Sequence, residues 1–424
     1  MIAAKEQKNV EYIMAKAYNL IVIGAGAAGM MAAITAARKG NAVLLLEKLP
    51  KIGAKLKATG GGRCNLTNTL DNETFMSHFG RDGRFMGPAL EAFDHRALMA
   101  FFQEIGMESH APDGYRVFPV THNASTVTEA MEKEMLRLGV KVKCSQKAEG
   151  LEHNGEGITG VRTQDGVWGA KHVIIATGGK GYPALGAEGD GYALAESVGH
   201  KVTELYPAMM PLKTKETWVA ECRADTVAKV TMRVDMKKYK KLSAKGDLIF
   251  TKTGIRGPVV LDFSREITPL LEKYSEVPVL LNLTKGMNEE EIRQHFKKEL
   301  SLNPHRTLVE LLSTLLPSAL AQALCLLAEA DPHRSFGKQS GASRDRLVKV
   351  LAWTPLTVNG HDGFKMAMVT RGGVSLKEID PRTMESKKLN GLYFCGEVMN
   401  LDGPCGGYNL QWSFASGYLA GKLQ

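Results

Sequence analysis

The chain has 424 residues, is 44% hydrophobic and carries a formal net charge of +9 at pH 7. This length predicts two or three domains, and no apolar run approaches the roughly 20 residues that a membrane span needs. Residues 1–16 lack the apolar core and the cleavage site of a secretory signal, so we expect a cytoplasmic protein with no membrane partner and a disordered leader over residues 1–17.

The cysteines and the charge distribution narrow the class further. The six cysteines form no C-x-x-C pair, so we expect thiols, with neither a metal site nor a disulfide framework. Residues 201–350 hold 25 Lys and Arg against 18 Asp and Glu, which accounts for +7 of the +9. Such a basic region suits an anionic partner such as nucleic acid, or it is a solvated face. The sequence leaves the oligomeric state open.

The first predicted elements form a dinucleotide-binding unit. An apolar strand, Tyr18 to Ile23, runs into Gly24-Ala25-Gly26-Ala27-Ala28-Gly29, and a helix to Arg38 and a strand ending at Glu47 follow. In such a βαβ unit the first glycine makes the tight turn and the second lets a pyrophosphate approach the backbone. The third lets helix and strand pack closely, while the acid accepts hydrogen bonds from a ribose.

A second match to the same glycine spacing serves as a control. Gly155 to Gly160 lies between two short strands, and no helix follows it. This context predicts a hairpin turn. The chain therefore offers one dinucleotide site and no obvious separate NAD(P)H domain.

Three later segments favour FAD as the dinucleotide. The adjacent glycines within Thr59 to Asn68 suit backbone that lies flat against a ligand. The strand in His172 to Gly179 ends in Ala176-Thr177-Gly178, as in two-segment FAD-binding folds where the chain returns to the nucleotide sheet. Within Gly391 to Gly421, a strand ends at Gly396-Glu397, and Gly406 to Leu410 opens a final helix. The N-terminus of that helix would stabilise an anionic reduced flavin.

These segments resemble the bacterial BaiN-like family of FAD flavoproteins, whose relatives include 3-dehydro-bile-acid reductases, aminoacetone oxidases and ribosomal-RNA dihydrouridine synthases. The resemblance runs from about Tyr18 to the end of the chain. Its most specific matches are Thr59 to Asn68, Leu248 to Leu261, Val369 to Val374, Thr383 to Ser386 and Gly396 to Leu410.

The resemblance implies bound FAD and a three-domain build. It assigns the ADP half of FAD to the glycine turn with Glu47 and Lys48, the flavin to residues 60–65, the adenine to Ala148, and the ribityl chain and ring to the C-terminal motif. The full expected set is Gly24, Gly26, Ala28, Gly29, Glu47, Lys48, Lys55, Gly60, Gly61, Gly62, Arg63, Cys64, Asn65, Ala148, Ala176, Thr177, Gly178, Gly396, Glu397, Gly407, Asn409 and Leu410. The chain departs from the family at Asn400, where an aspartate is usual, so hydrogen bonding in this loop would differ.

The expected fold is α/β: a discontinuous Rossmann-like FAD-binding domain with an inserted small β-barrel domain and a helical insert. The predicted bounds are 18–200 with 365–424 for the FAD domain, 201–285 with 352–364 for the barrel, and 286–351 for the helical insert. Short strands are predicted over Val202–Lys213, Ala228–Val234, Asp247–Phe250, Val259–Phe263 and Val277–Leu283. The return to the FAD domain is predicted over Phe364–Gly373.

The helical insert has its own start signals. Asn288 with Glu291 predicts a capping box for a helix to Leu300. Further helices are predicted over Thr307–Leu316, Pro317–Ala330 and Ser343–Leu351, with Pro317 in a first turn. In the barrel region, a run of lysines at 237, 238, 240 and 241 predicts a hairpin that is either a solvated turn or a nucleic-acid contact.

The expected chemistry is flavin-dependent reduction of a carbon–carbon double bond conjugated to a carbonyl, with hydride added at the β carbon and a proton at the α carbon. Cys64 is the first candidate acid, because the neighbouring Arg63 would lower its pKa; packing under the ring is the equal alternative. Tyr408 and Cys405 are the next candidates. The loop that holds Tyr115, Arg116 and His122 is either a structural loop or the lining of a substrate cleft.

Three functions remain open. The first is an NAD(P)H-dependent reductase that acts on a uridine of ribosomal RNA or on a small enone, with NAD(P)H as a transient donor. The second is a flavin oxidase of a small amine such as aminoacetone. The third is a flavin-bound binding or assembly protein without turnover.

Overall fold

A computed structural model describes residues 18–423, so the predicted leader lies outside the described residues. The described chain divides into two compact units: unit 1 comprises the residues up to Leu205 and those from Val369 on, and unit 2 is Tyr206–Met368. Among the described residues, no helix combines the length and the apolar character needed to cross a membrane.

Unit 1 is built mainly from the N-terminal half of the chain. Its first strands are β1 Tyr18–Ile23, β2 Val43–Leu46, β3 Thr67–Asn68, β4 Ser109–His110, β5 Arg116–Pro119, β6 Lys141–Lys143, β7 Ala148–His153, β8 Ile158–Thr163 and β9 Gly166–Ile175. Its first helices are α1 Ala27–Arg38, α2 Ala54–Ala58, α3 Asn72–Ser77, α4 Gly87–Ala92, α5 His95–Glu104, α6 Ala124–Arg137 and α7 Asp190–Ser197.

Unit 2 follows and holds seven strands and five helices in its described residues. The strands are β10 Tyr206–Ala208, β11 Leu212–Thr214, β12 Thr226–Val234, β13 Ser243–Phe250, β14 Gly254–Arg256, β15 Val277–Asn282 and β16 Thr354–His361. The helices are α8 Pro258–Tyr274, α9 Glu289–Leu302, α10 Leu308–Leu312, α11 Ser318–Leu327 and α12 Gly341–Ala352. The chain then completes unit 1 with β17 Val369–Arg371, β18 Leu392–Phe394 and α13 Tyr408–Ala420.

The central sheet of unit 1 has seven strands in the order β6-β2-β1-β9-β8-β7, with β18 paired to β9. Strands β6, β2, β1, β9 and β18 are parallel, whereas β7 and β8 form an antiparallel hairpin that joins β9. The parallel strands β1 and β2 are buried almost throughout, as expected for a sheet covered on both faces. The N-terminal βαβ unit, the hairpin at Gly155 and the return of residues 172–175 to the nucleotide sheet are all confirmed.

Unit 2 contains the predicted barrel, closed by six strands in the order β11-β14-β13-β12-β15-β16. Helices α9 to α12 share one apolar core with the barrel strands, through residues such as Phe250, Phe296, Leu324 and Leu351. The capping box of Asn288 and Glu291 is confirmed, since each side chain accepts a hydrogen bond from the other residue's backbone N–H. The α/β fold class, a Rossmann-type fold with an inserted barrel, is confirmed.

Several predicted elements in unit 2 were wrong in detail. Val259–Phe263 is not a strand but the start of α8, because Pro258 occupies its first turn and the apolar residues continue at helical spacing to Leu271. The predicted strand Val202–Lys213 is divided into β10 and β11. Helices α10 and α11 are shorter than predicted, and Pro317 immediately precedes α11.

Candidate cofactor and active site

The three glycines of the turn after β1 differ in their surroundings. Gly24 has a φ of +103°, and a Cβ there would lie 2.7 Å from the carbonyl oxygen of Ala176. A Cβ on Gly29 would lie only 1.9 Å from the carbonyl oxygen of Gly24, so this residue lets α1 pack against the turn. A Cβ on Gly26 would meet no protein atom within 4 Å. The three predicted glycine roles therefore match three different environments, and only Gly26 faces open space.

The end of β2 fixes this turn through Glu47. One carboxylate oxygen accepts the backbone N–H of Ala25 at 2.9 Å, and the other accepts that of Leu49 at 2.9 Å. Because each carboxylate oxygen has a second lone pair, both retain the capacity to accept from a ribose. Contact with the ribose itself stays a prediction.

Lys48, the expected neighbour on the ADP half, forms ion pairs with two carboxylates. Its ammonium contacts Glu188 at 2.6 Å and also Asp190. Burial opposes the charged form, but the hydrogen bonds that Lys48 donates to Asp190 and Glu188 outweigh it and raise the pKa of Lys48. These two carboxylates offset most of the positive charge of Lys48. Lys48 therefore attracts a phosphate less strongly than the sequence suggested.

The Ala176-Thr177-Gly178 segment lies against the glycine turn. A Cβ on Gly24 would lie 3.1 Å from the Cα of Thr177, so strand β9 brings this segment to the glycine turn. The hydroxyl of Thr177 is buried and has no hydrogen-bond partner among the residues that the structure describes. Ala148 is buried at the start of β7, two residues after Gln146, whose backbone N–H donates to the carbonyl of Glu47. Thr177 therefore places its Cα beside the glycine turn, whereas its hydroxyl lies against Gly191 of α7, where a Cβ would be 2.0 Å from it.

The three-glycine loop also has the predicted character. Gly60, Gly61 and Gly62 have φ values of +59°, +66° and +86°, which only glycine adopts readily in succession. A Cβ on Gly61 or Gly62 would meet nothing within 4 Å. These residues need to be glycine for their backbone conformation, and they leave a face open to a ligand.

An ion pair ties this loop region to the C-terminal motif. Lys55 lies 2.9 Å from a carboxylate oxygen of Glu397, and the other oxygen of Glu397 accepts the backbone N–H of Thr370 at 2.8 Å. A Cβ on Gly179 would lie within 2.5 Å of Glu397 and Thr370 side-chain oxygens. Three motifs distant in sequence therefore meet at Glu397. Thr370, which lies in the quoted segment Val369 to Val374, and Gly179 were not among the predicted site residues.

Two asparagines connect the three-glycine loop with the start of α13. The side chain of Asn68 donates to the carbonyl of Gly406 at 2.9 Å. In the amide orientation that satisfies its neighbours, Asn65 accepts from the backbone N–H of Gly407 at 3.1 Å and donates to the carbonyl of Thr67 at 2.9 Å. Gly407 itself has a φ of +86°, and a Cβ there would lie 2.5 Å from the backbone of Thr67. The predicted flavin loop and the predicted flavin-facing helix are thus in direct contact.

The remaining C-terminal residues shape the same loop. The side chain of Asn409 accepts from the Gly403 N–H at 2.8 Å and donates to its carbonyl at 2.9 Å, so it closes the loop before α13. A Cβ on Gly396 would lie 2.9 Å from the Cβ of Ala28, which places Gly396 directly against α1. Leu410 packs partly buried against the core of unit 1. Asn400, the departure from the family, donates its backbone N–H to Val374 at 3.0 Å.

Cys64 does not have the environment expected of a catalytic acid. Its side chain is fully buried, and burial raises its pKa from 9.0 to about 12, so the expected lowering of its pKa was wrong. The guanidinium of Arg63 lies over the ring of Phe118, 5.7 Å from its centre, and burial outweighs any effect of that charge on the thiol. Cys405 is a half-buried thiol in the loop before α13.

We expect Cys64→Ala to keep close to wild-type turnover and to cost about 1 kcal/mol of stability, the price of a small buried cavity. Between pH 9.0 and about 12 the unfolded chain ionises this thiol whereas the folded chain does not. The free energy of unfolding of the wild type therefore falls as pH rises through that window, and the variant loses this share of the fall. Denaturant titrations at several alkaline pH values would measure it; a large loss of turnover with FAD retained would contradict the assignment.

Tyr408 begins α13 and forms a pair with Tyr115. The two hydroxyl oxygens are 2.7 Å apart, and Tyr115 reaches this position from the turn between β4 and β5. Tyr408 is only 2% exposed and packs against the rings of Phe75 and His78, at centroid distances of 4.9 and 4.8 Å. A Cβ on Gly406 would lie 3.8 Å from the Tyr115 hydroxyl. Both tyrosines were candidates from the sequence. Their contact could not be predicted, because nearly 300 residues separate them along the chain.

The other polar residues in and beside the predicted cleft loop form contacts with one another. Arg116 forms an ion pair with Asp113 at 2.7 Å, and the Nε2 atoms of His110 and His122 are 3.0 Å apart. Within the described part of the chain, no group of three or more His, Cys, Asp and Glu residues is arranged to hold a metal ion.

Comparison with known proteins gives one family for all of the described residues. The family model described as the HI0933-like protein Rossmann domain matches residues 18–423. A 3-dehydro-bile acid delta(4,6)-reductase from Clostridium scindens is 35% identical over 404 residues, covering 95% of this chain and 97% of the relative. A ribosomal RNA dihydrouridine synthase from Haemophilus influenzae is 32% identical over 402 residues, covering 94% and 96%.

Solved structures show the same fold at low identity. The 3-ketosteroid delta1-dehydrogenase from Sterolibacterium denitrificans superposes with a TM-score of 0.52 at 12% identity, covering 96% of this chain and 99% of that chain. At this identity the match supports the fold alone.

Proposed function

We propose that this chain, which belongs to the HI0933-like Rossmann-domain family and is an FAD-dependent oxidoreductase, reduces a carbon–carbon double bond conjugated to a carbonyl group, with NADH or NADPH as the electron donor. Two relatives that cover nearly the whole chain support this reaction class. One is named a delta(4,6)-reductase of a 3-dehydro-bile acid and the other a dihydrouridine synthase of ribosomal RNA. The 5,6 double bond of uridine is conjugated to a ring carbonyl, so both names fit one type of reduction.

The observation that carries the proposal is the junction between the three-glycine loop and the start of α13. Asn65 and Asn68 hold these two segments together, and both segments present backbone in conformations reserved for glycine. Glycine backbone permits the close approach of a flat aromatic cofactor, because no side chain stands between the two. The N–H groups that open α13 supply the partial positive charge that a reduced, anionic flavin would need.

The residues fit FAD along its whole length. The open turn at Gly26, the carboxylate of Glu47 and the backbone of Thr177 beside that turn would hold the ADP half. The three-glycine loop and the start of α13 would hold the flavin half. When bound, FAD supplies the two-electron chemistry, accepting a hydride from the nicotinamide and delivering it to the substrate. The protein must then bind the substrate and provide a proton.

The proton donor that we infer is Tyr115, with Tyr408 as the residue that positions it. Tyr115 is half-buried, whereas Tyr408 is enclosed by aromatic rings and is held 2.7 Å from the Tyr115 hydroxyl. As Tyr115 gives its proton to the α carbon of the substrate, the hydroxyl of Tyr408 would donate to the oxygen that becomes charged. We no longer assign this role to Cys64, because its thiol is buried and hard to ionise.

Anaerobic mixing of the purified protein with NADH or NADPH tests the proposal directly. We expect the flavin absorption band at about 450 nm to bleach within seconds, as in other flavin reductases. The reduced protein is then offered a conjugated enone or ribosomal RNA, and the return of the band identifies the electron acceptor. A protein that holds FAD but is not bleached by either nicotinamide would contradict the reductase assignment.

A further inference from the structure

The lysine-rich hairpin between β12 and β13 is fixed to the body of unit 2. Its lysines are residues 237, 238, 240 and 241, and all four are exposed. Between and beside them, Met236, Tyr239 and Leu242 pack against the apolar core of the unit. Because these side chains turn inward, the lysines are held on an outward surface instead of moving with a loose turn.

The C-terminal end of α8 adds to this surface. The hydroxyls of Tyr239 and Tyr274 are 3.3 Å apart, and their rings meet edge to face at a centroid distance of 6.1 Å. The ammonium of Lys273 lies 5.2 Å from the Tyr274 ring centre, and that of Lys238 lies 5.7 Å from the Tyr239 ring centre. Tyr274 is 38% exposed. Two aromatic rings therefore lie among lysines from two elements that are more than 30 residues apart in sequence.

The positive charge of this surface is largely uncompensated. Within the described part of the chain, no carboxylate forms an ion pair with the four hairpin lysines. The neighbouring Glu276 is already paired with Lys215, at 3.0 and 3.2 Å, which leaves Asp235 and Glu272 as the nearby exposed acids. The four hairpin lysines and Lys273 therefore outnumber these two nearby acids, and the surface has a net positive charge.

We propose that this lysine–tyrosine surface, formed by residues 237–241 with Lys273 and Tyr274, is a docking site for single-stranded RNA. Lysine ammonium groups contact phosphates without regard to sequence, and an exposed tyrosine ring stacks on an unpaired base. A small enone would need neither feature. The inference rests on the proposed reductase function and gives it a substrate class, an RNA whose uridine is accessible in a single-stranded segment.

Fluorescence anisotropy of the FAD-loaded protein with a labelled single-stranded oligoribonucleotide tests the docking site. We compare the wild type with the quadruple variant Lys237→Gln, Lys238→Gln, Lys240→Gln, Lys241→Gln at several salt concentrations. The slope of log affinity against log salt should shrink by about 3, since each lost phosphate contact in a single strand removes about 0.7. Tyr274→Ala should weaken binding about tenfold with little change of slope.

A double variant of exposed lysines on α9, Lys297→Gln with Lys298→Gln, is the matched control and should bind RNA as the wild type does. Equal RNA binding by the wild type and the quadruple variant would overturn the docking site. The reduction of FAD by NADH or NADPH is measured on the same samples and should be unchanged in every variant. If NADH and NADPH both fail to reduce the wild-type protein, the proposed function is contradicted. If the wild-type protein is reduced but does not bind RNA, only the docking site is contradicted.

Discussion

Gly26→Ala is expected to give a folded protein that binds FAD roughly ten- to hundredfold more weakly, the effect of about 1–3 kcal/mol from overfilling a packed contact. Gly26 has a φ of −85°, which alanine adopts without strain, and its Cβ would meet no protein atom within 4 Å. The fold therefore accepts the methyl group. The space that the methyl group enters is the one we assign to the pyrophosphate, so the penalty falls on the cofactor.

Two further glycine variants make this result specific. Gly29→Ala places a Cβ 1.9 Å from a carbonyl oxygen and should lose several kcal/mol of folding free energy, with or without FAD. Gly87→Ala, in α4, meets only the flexible sulfur of Met76 at 3.9 Å and should leave both fold and cofactor unchanged. Circular dichroism melts report folding, and the flavin-to-protein absorbance ratio reports FAD. A Gly26→Ala protein with full flavin content would count against the pyrophosphate assignment.

The N-terminal unit was predictable because its signals are local. Strand β1, the glycine turn, α1 and β2 follow one another within 30 residues, and each glycine has a separate backbone reason to be there. The hairpin at Gly155 was predictable on the same basis, since a nucleotide turn needs a helix after it. The capping box at Asn288 was likewise local, because its two partners are three residues apart.

The errors and omissions arose where distant residues decide the structure. Val259–Phe263 is apolar enough for a strand, but Pro258 and the apolar positions further on make it helical. Arg63 immediately precedes Cys64 in sequence, yet the burial of the thiol, which depends on the whole core, raises the pKa of Cys64. Asn68 and Thr370 bind partners more than 20 residues away along the chain. A single sequence contains no trace of such contacts.

Tyr115→Phe is expected to slow the reoxidation of reduced protein by a conjugated enone about a hundredfold, the lower end of what general acids contribute. Tyr408→Phe should slow the same step about tenfold, because it removes one hydrogen bond to the developing oxyanion, about 1.5 kcal/mol. Both variants should be reduced by NADH or NADPH at the wild-type rate, since hydride uptake needs no proton from this pair. Rapid-mixing measurements of the two half-reactions separate these effects.

Tyr418→Phe provides the control within the same helix. Tyr418 stacks on Phe93 at a centroid distance of 4.4 Å, and its ring is retained in the variant, so both half-reactions should be unchanged. We expect a solvent deuterium isotope effect on reoxidation of the wild type, and it should disappear or change in Tyr115→Phe, because the proton then comes from another source. A merely structural role for the pair would lower thermal stability and leave the isotope effect as it was. Wild-type reoxidation rates in both variants would remove the tyrosine pair from the mechanism and leave Cys405 as the remaining candidate from the loop before α13.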